Sequence, residues 1–402
     1  MRTAKIIKVL NFLIILFTSL LLIASTFSKA ALETFSTLVI LFWLVKRSLI
    51  FKKEGKFFPA TVLNRPIAGY ALVILLATIN SVNFKSSIIA FFGKTLEYIL
   101  LYFAVCDTVK TKKTFYLILL GLILAGGGLV IDSAFQYFTG TDLFRHYQMN
   151  DDFRLKASFS NANDFAGWLI LITPLFILLI LSRLRNKSFL SAFGLGSLSL
   201  LMLVCLWLTF SKAAILGLFI ALIFLTVYFS RKKKRAVFFV IAALIFFAVF
   251  SFLKGWPQEF INTDRSASVL LRIDLWKTAL SAWADYPLLG SGPSTYVQII
   301  PFYNTGWQLN TSYPHNSFLH MSVETGLAGL CVFIWVIFEL FSSIAVKLRA
   351  GISHQPEIVG LAAGIGVFLF QSFFDTNLYA VQLVIPFWIF IGLCSALCND
   401  AA

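Results

Sequence analysis

Charge is scarce in this 402-residue chain. Asp, Glu, Lys and Arg make up 13% of it, where an ordinary soluble domain carries about a quarter. That shortfall excludes a soluble globular enzyme and a charge-rich disordered tail. Cysteine is scarce too. Cys106, Cys205, Cys331, Cys394 and Cys398 all fall in or beside apolar runs, so a secreted disulfide scaffold is excluded and a cysteine zinc site is disfavoured. They read as small apolar packing residues. Internal repeats and low-complexity linkers are absent. What the chain has in excess is apolar surface: 59% of its residues are hydrophobic, material for about a dozen bilayer spans of roughly 20 residues each.

Twelve apolar runs bounded by charge, Pro or Gly are read as spans: Ile6–Phe27, Ala30–Val45, Ile67–Val82, Ile88–Cys106, Phe115–Phe135, Phe165–Ser182, Leu190–Phe210, Ala213–Phe229, Ala236–Leu253, Asn316–Val346, Ile358–Phe374 and Leu378–Cys398. The short ones need tilt or partners. The first is long for the apolar region of a cleaved leader and reads as a retained span. The pattern predicts an all-α, polytopic transmembrane helical bundle divided as 1–253 (spans one to nine), 254–315 (a large outer loop with short amphipathic helices) and 316–402 (spans ten to twelve).

The formal charge of +15 raises the question of nucleic acid, and the distribution of the charge answers it. With a cytoplasmic N-terminus and alternating sides, 22 of the 33 basic residues fall in cytoplasmic segments, including the block Arg231–Arg235. Every second connection is basic, the pattern that sets insertion topology, with contact to anionic lipids as a further use. Both termini are then cytoplasmic, the chain is a multi-pass protein of the plasma (inner) membrane, and no nucleic-acid partner is needed.

The long hydrophilic stretches Thr139–Asp164 and Lys254–His315 both face outward in this arrangement. The second carries eight Trp and Tyr residues, suited to a membrane interface or to stacking on sugar rings. Three shorter stretches carry the candidate chemistry. In Leu208-Thr-Phe-Ser-Lys-Ala-Ala-Ile-Leu-Gly217, Lys212 sits in a short outer turn at a helix N-terminus, a place that favours an anion beside it; a snorkelling loop lysine is the plainer reading. In Asp264-Arg-Ser-Ala-Ser-Val-Leu-Leu-Arg-Ile-Asp-Leu-Trp276, Ser268 is a candidate cap for a short helix ending before Pro287. Arg272 and Trp276 share one face of it, where the Arg fork is placed to grip a phosphate or to pair with a lipid headgroup or Asp264.

In Ser312-Tyr-Pro-His-Asn-Ser-Phe-Leu-His-Met-Ser-Val-Glu-Thr-Gly326, Pro314 suits the first turn of the tenth helix. His315 stands where loop meets membrane, and His320 and Glu324 share a face one turn deeper. The spacing lacks the HExxH metal pattern. An imidazole there can take a proton from a hydroxyl near neutral pH, although a buried, satisfied histidine is the plainer role. Arg154, with Lys156, Asn161 and Asn163, precedes span six. Lys94 and Glu97, three apart within a span, are expected to pair for structural reasons.

These residues resemble the O-antigen ligase-like superfamily of bacterial glycan transferases. "NANDFAGW" resembles its Asn-rich stretch before a span, "LTFSKAAILGL" its Thr-x-Ser-Arg segment, "RIDLWKTAL…YPLLGSG" its Arg-to-Trp and Pro-Leu-Leu-Gly-x-Gly stretch, and "PHNSFLHMSVETGLAGL" its His-Asn helix start. The resemblance implies a GT-C-like helical architecture. It also implies transfer of a glycan from undecaprenyl pyrophosphate to an acceptor hydroxyl, in the ligases that of the lipid A-core oligosaccharide, outside the plasma membrane and with no metal or other cofactor. It assigns His315 to acceptor activation, and Arg272, Lys212 and Arg265 to the pyrophosphate, with Asn316, His320, Glu324 and Arg154 in support. Lys212 departs from the family's Arg, giving a point charge in place of a bidentate contact.

Two other readings compete. A repeat-unit polymerase of the same superfamily would often carry Arg-x10-Gly in two outer loops, but Phe165 and Trp283 stand eleven positions after Arg154 and Arg272. A protein O-glycosylating transferase stands third. A secondary transporter, of a different class, would show related halves and often a long central cytoplasmic loop, whereas here the hydrophilic mass lies outside.

Overall fold

The computed structural model describes residues 2–149, 153–229, 265–303, 313–351 and 355–399. The ninth run, Ala236–Leu253, and Trp256, Asp264 and Trp307 of the Lys254–His315 stretch lie outside the described residues. Within them the chain is helical: α1 (Arg2–Ala24), α2 (Lys29–Glu54), α3 (Asn64–Ile79), α4 (Phe84–Thr108), α5 (Lys112–Thr139), α6 (Ala162–Arg185), α7 (Phe189–Leu208), α8 (Lys212–Phe229), α9 (Arg265–Asp285), α10 (Tyr296–Ile299), α11 (Ser317–Arg349), α12 (Gln355–Ser372) and α13 (Val381–Asn399). Eight of the described helices are long and apolar enough to cross a bilayer. The shorter or more polar α3, α8 and α12 overlap the third, eighth and eleventh apolar runs. The protein is an all-α, polytopic membrane protein, and its five cysteines are free.

In the most apolar stretch of α13, 94% of residues are buried, and in that of α6, 78%, against 28% in α2, α7 and α11. The first two therefore form the centre, with the others around them presenting apolar side chains outward, as lipid contact requires. α6 lies along α7 and α12, α13 along α4, and α3 along α11. Small residues permit the closest of these approaches. A Cβ on Gly364 would collide with the Leu171 carbonyl, and one on Gly360 would crowd the Leu175 backbone, the small-xxx-small device of membrane helices. At one end of the bundle, Lys46 (2.8 Å) and Arg47 (3.5 Å) of α2 converge on Asp107 of α4. Trp43 donates to the same buried carboxylate.

α11 is broken. Gly326 adopts φ 64°, ψ −170° within it, and the backbone groups released by the break need partners, because lipid supplies none. The 287–292 segment supplies them. Ser291 N–H donates to Val323 O (2.9 Å) and Gly292 N–H to Glu324 O (2.9 Å), while Pro287 O and Leu288 O accept from Leu327 N–H (2.9 Å) and Ala328 N–H (3.1 Å). Only glycine fits at the crossing, since a Cβ on Gly326 would strike the Leu288 backbone and one on Gly290 the Glu324 backbone. The Pro-Leu-Leu-Gly-Ser-Gly stretch is thus a plug for a discontinuous helix. α9 is fixed beside it by an apolar cluster of Ala279, Ala282, Tyr296, Ile299, Ile300 and Val323.

The loop after α5 is caged by two buried carboxylates. Asp142 accepts from the N–H groups of Phe144, Arg145 and Tyr147, and Asp132 from that of Leu143 (2.7 Å). Ser158 Oγ donates toward both (2.7 and 3.1 Å). This cage leads the chain into the Arg154–Asn163 stretch.

Candidate functional site

The helix that carries the third stretch does not begin at Pro314. Asn316 is its N-cap, and its side-chain oxygen accepts from Phe318 N–H and Leu319 N–H at 3.0 Å each. His315 therefore precedes the helix, with a left-handed backbone (φ 47°) that costs a β-carbon residue energy unless its surroundings hold it. They do, through the turn between α12 and α13. Ser317 N–H and Oγ both donate to Asp375 O (3.1 and 2.9 Å), and Leu378 N–H donates to Ser317 Oγ (3.3 Å).

The same turn brings Asp375 Oδ1 to 3.2 Å from His315 Nδ1. Asp375 is buried, while the His315 side chain is 37% exposed. Burial pushes the Asp375 carboxyl up, but the bond and charge of His315, the Thr376 N–H and Asn163 outweigh it and hold the group below the usual carboxylate range. Because a carboxylate only accepts, Nδ1 carries the proton toward Asp375. In the neutral imidazole the Nε2 lone pair is then left for a second partner.

Asn163 links this pair to the other stretches. Arg154 donates through Nη2 to Asn163 Oδ1 (2.7 Å) and through Nε to Thr209 O (2.8 Å), and Gln371 Nε2 donates to Asn163 O (3.0 Å). Arg154 therefore ties the Asn-rich stretch to the turn preceding Lys212. Lys212 opens α8, as its position implies, with an exposed side chain. Arg272 is half-buried on α9, one turn before Trp276. Trp276 Nε1–H donates to Pro314 O (3.0 Å) and so fixes the α9 face that carries Arg272 against the loop that carries His315. α9 begins at Arg265, ahead of the expected Ser268 cap, and runs 21 residues; the Arg265 side chain lies outside the described part.

His320 and Glu324 meet as their spacing requires, Nε2 to Oε1 at 3.3 Å. They form a separate cluster from His315. His320 stacks on Tyr379 (centroids 3.5 Å apart, 6° between planes) and lies 4.4 Å from Tyr296. Tyr296 N–H donates to Glu324 Oε1 (3.1 Å). Among the described residues no group of three or more His, Cys, Asp and Glu side chains could hold a metal ion. Lys94 and Glu97 do not pair as expected, since Glu97 accepts a hydrogen bond from Ser36 of α2. Asp375 was missed by the sequence reading. Its only local signal is that it is an acid in the short turn between two apolar runs.

The helical bundle of a multi-pass membrane protein thus holds a half-buried imidazole backed by a buried carboxylate. Residues 197–334 match the family model described as O-antigen ligase. The chain is also similar, 26% identical over 160 residues, to a protein of Rickettsia bellii (strain RML369-C) named "Putative polysaccharide ligase". That similarity covers 37% of this chain and 39% of the relative, so the chain spans about two fifths of the relative's length. Both findings support the O-antigen ligase-like superfamily, the group that the four stretches resemble.

Proposed function

We propose that this protein is a glycan transferase that moves a glycan from undecaprenyl pyrophosphate to an acceptor hydroxyl, that of a lipid A-core oligosaccharide, at the outer face of the plasma membrane. The observation that carries the reading is the His315–Asp375 pair. In this reading Nε2 of His315 takes the proton of the acceptor hydroxyl, and Asp375 holds the tautomer and stabilises the imidazolium that forms. The hydroxyl oxygen bonds to the anomeric carbon as the bond from that carbon to the phosphate oxygen breaks. The bonding electrons leave with the pyrophosphate, and attack from the opposite side inverts the linkage.

The leaving group gathers negative charge, so cations at its position lower the barrier. Arg272, Lys212 and Arg265 are assigned to that position, and the Trp276–Pro314 hydrogen bond supports the assignment for Arg272. Asn316 and Arg154 act as positioning residues, through the helix cap and through Asn163. The alternation of basic connections supports cytoplasmic termini and an outer-face site. It also fits a division into 1–253, 254–315 and 316–402.

The test is direct. Purified protein is given an undecaprenyl-pyrophosphate-linked glycan together with a lipid A-core oligosaccharide, a second lipid-linked glycan, or a protein acceptor, and the product is analysed. A glycan–core product is expected. A lengthened lipid-linked glycan would establish a repeat-unit polymerase instead, and substrate uptake into proteoliposomes with no transfer would establish a transporter.

A further inference from the structure

α4 contains a π-helical turn, Phe91–Thr95, a widening of the helix that often marks a functional position. Lys94 lies on it, exposed. With Tyr98, Tyr313, His320, Glu324 and Tyr379 it lines a cavity of about 150 Å³. That is room for about five waters at roughly 30 Å³ each, or for one six-membered sugar ring. Tyr313 stands two residues before His315 and Tyr379 four after Asp375, so the cavity shares two chain segments with the His315–Asp375 pair.

We infer that this cavity is a subsite for one uncharged sugar ring of the glycan, an inference that rests on the transfer reading above. Charge is the first argument. Lys94 and Glu324 give the lining one cation and one carboxylate. A phosphate would gain the first and meet repulsion from the second. A sugar uses both, because its hydroxyls accept from an ammonium and donate to a carboxylate.

The second argument is the wall. Tyr70, Tyr98, Tyr313 and Tyr379 stand in the lining and offer aromatic faces for the C–H face of a pyranose and hydroxyls for its edge.

The inference is tested on the full-length protein in detergent by saturation-transfer NMR, with methyl glucoside, a methyl N-acetylglucosaminide, glucuronate and inorganic pyrophosphate as probes. The two neutral glycosides should bind saturably, and equally well to His315→Ala. Lys94→Met should weaken them about fivefold, the size expected for losing one hydrogen bond. Val297→Trp, a substitution at an exposed residue of the lining, should block them sterically without touching the buried pair. Circular dichroism and the thermal midpoint check that both variants are folded. No saturable binding of neutral glycosides, their displacement by pyrophosphate, or unchanged binding in both variants overturns the subsite. Transfer measured in parallel keeps the two readings apart. Sugar binding without any transfer would overturn the transferase and leave the subsite, and transfer without sugar binding would do the reverse.

Discussion

His315 Nδ1 and Asp375 Oδ1, sixty positions apart in the chain, lie 3.2 Å from each other, the first just ahead of α11 and the second in the turn between α12 and α13. The carboxylate is buried and the imidazole reaches solvent, so the pair has an inner member that orients and an outer member that can react. His315→Ala should abolish transfer and leave membrane insertion intact; near-normal activity would remove His315 from the mechanism. Asp375→Asn should lower kcat by about 10²–10⁴-fold through loss of the tautomer and of imidazolium stabilisation, with KM little changed, as read by steady-state kinetics.

The depressed carboxyl of Asp375 has a signed consequence for stability. A group whose folded-state pKa lies below its unfolded value, about 3.9 for Asp, contributes stability above that value and loses it as pH falls through the folded one. The difference in thermal midpoint between wild type and Asp375→Asn should shrink as pH falls below about 4. A difference that persists undiminished down to the acid limit of folding would contradict this.

Arg272→Ala should impair use of the pyrophosphate donor far more than use of the acceptor, measured as separate KM values. Equal losses would contradict its assignment. At Lys212 the comparison is between cations: Lys212→Arg should keep activity, because the charge persists and a fork is added, whereas Lys212→Ala should lose it.

The break in α11 yields a structural prediction. Gly326→Ala places a Cβ on the Leu288 backbone and adds the cost of a left-handed conformation, about 1–3 kcal/mol. Thermal unfolding in detergent should show the loss, and transfer should fall with it, because the plug also sets the position of α9.

Away from the site, Asp107→Asn leaves Lys46 and Arg47 buried around a neutral group. Removing one member of a buried ionic cluster costs about 3–5 kcal/mol. The variant should unfold at a lower temperature, and Lys46→Met combined with Asp107→Asn should recover part of the loss.

The fold was largely legible. Eleven of the twelve apolar runs coincide with described helices, and the i, i+4 pairing of His320 with Glu324 followed from helical geometry alone. The site was legible only in pieces. Pro314 looked like a helix start, yet the cap is Asn316, because an Asn side chain satisfies N–H groups that Pro cannot. Lys94 and Glu97 looked like a pair, but a π-turn redirects the first while Ser36 engages the second. The Gly-rich 287–292 stretch showed a turn and gave no sign that it fills a gap in another helix.

Span positions could be read from sequence because transfer into a bilayer is a property of each local stretch, close to a sum over about 20 neighbouring side chains. The charge asymmetry and the residue types able to grip phosphate or accept a proton are likewise local. Tertiary structure alone decided which groups meet: Asp375 with His315, Arg154 with Asn163 and Thr209, Tyr379 with His320. Those meetings depend on how α6, α11, α12 and α13 pack and where their ends fall, and packing between distant segments leaves no periodic trace in any one of them.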